Sequence, residues 1–226
     1  MLKSFKEIAH NKAACFLLGA VITFNVALIY LFHQVIQQHN NDSLHYEYLQ
    51  KKGLDKNSPF VIEPAKDGSY TVVANSKDVM FNGKIALAAQ DWQNRTGIVF
   101  KIAYKMPKNK QGVIPVKDVK HYLSKNRKDV LLGTTHADLG MAKTGTIRIS
   151  QEANEDCGTD VYQIAVHELG HAIGVSHNPK DNNDIMNPYM RKRQSITQQR
   201  QSITQRDIRI AKENHQVLMH DLKQDK

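Results

Sequence analysis

The segment HELGHAIGVSH, from His167 to His177, constrains this chain more than any other feature. His167 and His171 are four residues apart, so a helix places both imidazoles on one face, where they can grip a single metal ion. Glu168 stands beside them, close enough to act on a water that the metal activates. Gly174 follows three residues after His171 and can take positive φ at no steric cost, which lets the helix stop and the chain turn. The turn can return His177 as a third ligand. Three protein ligands leave one tetrahedral position open, which is the arrangement of a catalytic zinc site rather than a structural one. The chain holds 11 histidines in 226 residues, so a lone histidine or a bare HExxH carries little weight. The full pattern of three histidines, one glutamate and one glycine is far more specific.

A second feature supports the first. Met186 lies nine residues after His177, within DNNDIMNPYM. HExxHxxGxxH followed by a methionine-bearing turn is the pattern of the metzincin zinc peptidases. The chain resembles that clan and, within it, most resembles the matrixin family, over roughly residues 60 to 220. The resemblance implies an α+β zincin domain. Its parts would be a twisted, mostly parallel sheet with one antiparallel edge strand, an active-site helix, a Met-turn and a C-terminal helix. It implies one catalytic zinc held by His167, His171 and His177, Glu168 as general base, and Met186 as an apolar floor beneath the histidines and not a ligand. It further implies a protein or peptide substrate that pairs with the edge strand by strand addition.

Periodicity places most of these elements. Ser69 to Ala74 alternates as a strand. Residues 82–96 carry Ile85, Ala88, Ala89 and Trp92 at helical spacing, and Gly97 ends that helix. Strands are expected at Ile98 to Tyr104, Asp129 to Thr135 and Thr146 to Ser150, with the edge strand between the last two, in residues 136–145. The zinc helix is expected to begin near Thr159 or Asp160. The final helix is expected from Thr204, a suitable N-cap, to His220, with Asp207 at its third position. Before it stands a tandem seven-residue repeat, RQSITQQ (193–199) and RQSITQR (200–206), read as a solvated insertion.

The other strong signal is at the N-terminus. Residues 13–32 form 20 uncharged, mostly apolar residues, long enough to span a bilayer as a helix. Lys3, Lys6 and Lys12 precede them and no Lys or Arg follows in the next ten, so the positive-inside rule orients the C-terminal part outward. The expected organisation is a cytoplasmic N-terminus (1–12), a transmembrane signal anchor (13–32), a stalk (33–60) and a zinc peptidase domain (61–226). A cleaved signal peptide, giving a secreted enzyme, is the alternative, but its apolar region is usually shorter.

The net charge of +9 is scattered, its densest cluster is Arg191-Lys192-Arg193, and no nucleic-acid motif accompanies it, so no nucleic-acid partner is expected. A basic surface suits anionic lipid headgroups or wall polymers. Cys15 and Cys157 are the only cysteines, and one lies in the apolar segment, so no disulfide framework is available. Residues 33–60 lack the cysteine with which many matrixin pro-segments block the zinc. His136 and Asp138 make a single HxD, which in some relatives belongs to a second, structural metal site; without further ligands it reads as a surface turn. Tyr189, at plus three from Met186, is not assigned as a ligand. The expected protein is a monomeric, membrane-anchored extracellular zinc endopeptidase, with a catalytically silent zinc-binding module as the rival class.

Overall fold

Why the chain folds into one sheet under a buried helix can be followed in a computed structural model, which describes Leu54 and residues 61–121, 131–137, 145–189 and 201–224. Five strands form the sheet: β1 (Tyr70–Ala74), β2 (Phe100–Ala103), β3 (Val113–Val119), β4 (Gly133–Ala137) and β5 (Gly145–Ser150). Their order is β2-β1-β3-β5-β4. The first four neighbours are parallel, and β4 alone runs antiparallel, with Thr135 opposite Ile147. This is the mostly parallel sheet with one antiparallel edge that the resemblance implies.

One face of the sheet is buried throughout, while Lys101, Lys117 and Arg148 on the other face are exposed. Val72, Val73 and Ala74 are all buried, as are Ile114, Val116, Ile147 and Ile149. Helix α1 (Val79–Thr96) packs on this core through Phe81, Ile85, Ala88, Ala89 and Trp92. Asp78 caps it by accepting from the N–H groups of Met80 and Phe81, and Gly97 closes it at φ 77°. The helix starts three residues before its expected position. Val79 and Met80 are exposed, so the apolar period does not reach back to the cap.

Three other expectations need correction. The edge strand is β4, which straddles the boundary between the strand expected at Asp129 to Thr135 and the edge strand expected in residues 136–145. Strand β3 was not expected; it carries Pro115, which has no N–H to give a central strand. The ladder with β5 starts at Val116, so Pro115 stands just before it and is paired with Val73 of β1. A short helix, α2 (Gln151–Cys157), also went unanticipated; Cys157 is free and half-buried.

Helix α3 (Val161–Ala172) is the expected zinc helix. Asp160 caps it through the Tyr162 N–H, and every residue from Ile164 to Ala172 is buried. The Trp92 indole N–H donates to Val166 O at 2.8 Å and the Tyr162 hydroxyl to Asp91 at 3.0 Å, which fixes α3 against α1. Helix α4 (Gln205–Gln224) is longer than expected but begins as expected. The Thr204 hydroxyl and N–H both bond the Asp207 carboxylate, at 2.8 and 2.9 Å.

The second copy of the heptad repeat is not a solvated insertion. Gln201 and Ile203 are buried. Ser202 exchanges two backbone bonds with the preceding loop, donating to Asn183 O and accepting from Ile185 N, both at 2.9 Å. The expectation failed because the repeat's polar composition hides one apolar residue per copy. The first copy lies outside the described residues. So do residues 13–32; among the described residues no helix is long and apolar enough to cross a membrane.

Candidate metal centre

The site is assembled by the way α3 ends. Gly174 sits at φ 87°, its N–H donates to His171 O and the Val175 N–H reaches back to Gly170 O, both at 2.9 Å. These two bonds are the paired cap of a Schellman motif. A Cβ at Gly174 would stand 2.5 Å from Asn214 Nδ2, so glycine is required by the space as well as by the dihedral. The reversal carries Val175 over the last turn and delivers His177 to the face that His167 and His171 already share.

The three expected ligands come together. Nε2 of His177 lies 3.0 Å from that of His171 and 3.3 Å from that of His167. Nitrogens bound at 2.0–2.1 Å to one tetrahedral ion stand about 3.3 Å apart, so the separations suit zinc. The tautomers suit it too. His167 donates its Nδ1–H to Ile185 O at 2.7 Å, and His171 donates its own to Val175 O at 2.9 Å. Each bond leaves Nε2 with its lone pair facing the partners, the usual outer-shell support of a metal-binding histidine. Burial lowers all three: His167 to about 4, with the Ile185 carbonyl opposing, and His171 and His177 in the same direction. Neutral imidazoles at neutral pH are what metal binding needs. Among the described residues these three form the one cluster able to hold an ion, and Cys157 is not part of it. His167 and His171 are buried and His177 is exposed, so the cluster meets solvent on the side of His177.

The Glu168 carboxylate accepts from the Thr135 hydroxyl on β4, which also lies 3.2 Å from the Glu168 carbonyl oxygen. Gly133, two residues earlier on the strand, makes room: a Cβ there would stand 2.7 Å from Glu168 Oε1. Burial pushes Glu168 up to about 7, and the Thr135 bond opposes the shift. Sequence reasoning missed Thr135 and Gly133. Their only signal is a small residue and a hydroxyl on the edge strand, 35 and 33 residues from Glu168, and nothing local links them to it.

Met186 is fully buried under α3. A Cβ on Gly170 would lie 2.6 Å from its sulfur, so glycine between the two helical histidines lets the methionine approach the backbone. The turn around Met186 is held by Asp184, which accepts from Met186 N and from Asn178 Nδ2, both at 2.7 Å. Asp184 and Asp207 are both buried, and burial together with the neighbouring Asp184 raises Asp207 to about 6. Tyr189 is exposed and bonds Asn187 through its N–H. Asp138 lies outside the described residues.

A family model described as Matrixin matches residues 64–216, which include every element of the sheet and all three histidines. No curated protein matches the chain.

Proposed function

This chain belongs to the matrixin family and is a zinc metalloendopeptidase; from that premise we propose that it cuts internal bonds of extended peptides outside the cell, tethered by residues 13–32, with Glu168 as its general base. The convergence of three Nδ1-tethered or loop-borne imidazoles beside a buried glutamate carries the proposal. His167, His171 and His177 would hold zinc at their Nε2 atoms, where it would supply the Lewis acidity that activates water and polarises the scissile carbonyl. Glu168 takes the proton of the attacking water on its carboxylate and returns it to the leaving amine. The Thr135 hydroxyl holds that carboxylate against β4. Met186 acts as an apolar floor below Gly170. Among the described residues strand β4 pairs with one neighbour, β5, and its other edge receives the substrate as an added strand.

The anchor rests on the 20 uncharged residues and the lysines before them. A reporter fused after Lys226 is expected to be active outside the cell, and protease added to intact cells is expected to digest the chain beyond residue 33 while sparing the N-terminus. A reporter active only in the cytoplasm would reverse the orientation. A released protein lacking residues 1–32 would establish the secreted form instead.

A further inference from the structure

His177 differs from the other two ligands in what holds its ring. His167 and His171 stand on a buried helix with Nδ1 fixed to a carbonyl. His177 is exposed on a loop, and among the described residues no hydrogen bond reaches its Nδ1. Its direction must therefore come from its backbone. Arg206, at the second position of α4, grips that backbone. Its Nη1 donates to Ser176 O at 3.2 Å, and its Nη2 donates to Ser176 Oγ at 2.8 Å and to His177 O at 3.4 Å. The guanidinium is itself fixed, because Nη1 also pairs at 3.0 Å with Asp207, whose side chain is fully buried. The two heptads differ only at their last residue, Gln199 in the first and Arg206 in the second, so only the second carries a cation at that position.

We propose that Arg206 is the positioning residue of the third zinc ligand: anchored on Asp207, it clamps Ser176 and His177 so that the His177 imidazole is aimed before the ion arrives. The inference rests on His177 being a zinc ligand. Arginine suits the task because its planar fork meets several acceptors at once, which a lysine ammonium on a flexible stem does not. The effect is preorganisation: without the clamp, part of the binding free energy goes into ordering the loop.

The test compares Arg206→Lys with the parent. Lysine keeps a cation for Asp207, so the zinc-free protein should unfold at the same urea concentration. Its zinc dissociation constant, from competition with a chromophoric chelator, is expected to rise about 10–100-fold, the usual cost of losing an outer-shell partner. The visible spectrum of the cobalt-loaded protein, which reports coordination, is expected to change. The double variant Arg206→Gln, Asp207→Asn removes the clamp without leaving a buried charge unpaired, and should weaken zinc in the same way if the lysine variant folds poorly. Parent-like zinc affinity and cobalt spectrum in both variants would overturn the proposal. So would a loss of zinc affinity that merely tracks a loss of zinc-free stability. His177→Ala separates the two levels. If it binds zinc as the parent does, the ligand assignment itself is wrong; if it loses zinc while Arg206→Lys does not, only the clamp is.

Discussion

Glu168→Ala is expected to lower kcat about 10²–10⁴-fold, the usual worth of a general acid–base group, while the protein still binds zinc. Glu168 follows a ligand in sequence but is not in the ligand cluster, and its carboxylate bonds Thr135, so its removal leaves the three Nε2 atoms in place. Glu168→Gln is the sharper variant. It keeps the shape between Gly133 and Ile164 and still accepts from the Thr135 hydroxyl, yet it cannot take a proton. Both variants should bind substrate peptide with KM little changed. Turnover by either at the parent rate would remove Glu168 from the mechanism. A loss of zinc along with activity would make it a structural residue.

The histidines carry the next largest effect. His177→Ala should weaken zinc binding by more than the 10–100-fold that an outer-shell partner typically contributes, because it removes a donor outright. It is also the cleanest of the three replacements. His177 is exposed, whereas alanine at His167 or His171 would empty a buried site and leave Ile185 O or Val175 O without its donor. Zinc content after dialysis and melting of the zinc-free form would separate the two effects. His167→Ala and His171→Ala should lose both metal and stability, and His177→Ala chiefly metal. Unchanged zinc content in His177→Ala would mean that the third donor lies elsewhere.

What was legible in the sequence was local. The helical spacing of His167 and His171, and the positive φ that Gly174 invites, are consequences of backbone geometry, so they could be read from eleven residues. Gly97 and Asp160 mark helix ends for the same reason, and Thr204 opens α4 with Asp207 as its reciprocal partner. Illegible features depended on partners far away in the chain. Strand β3 carries Pro115, and whether a strand tolerates proline depends on where its neighbour starts pairing. Val79 and Met80 hid the first turn of α1 by being apolar and exposed. Thr135 and Gly133 acquire their roles only when β4 lies against α3. Arg206 looked like one more charge in a polar repeat, and Ser202 like a linker residue, until the second heptad was laid against the Met186 turn.

The most direct test is a zinc titration of the metal-free protein with cleavage of an internally quenched peptide library as the readout. No cleavage is expected after chelation with phenanthroline. Activity should return with added zinc and reach its plateau at about one equivalent per chain, since three histidines make one site. Mass spectrometry should place the cuts at internal bonds. Cleavage that persists in fully chelated protein, or a chain that saturates with zinc and cuts nothing across the library, would contradict the account.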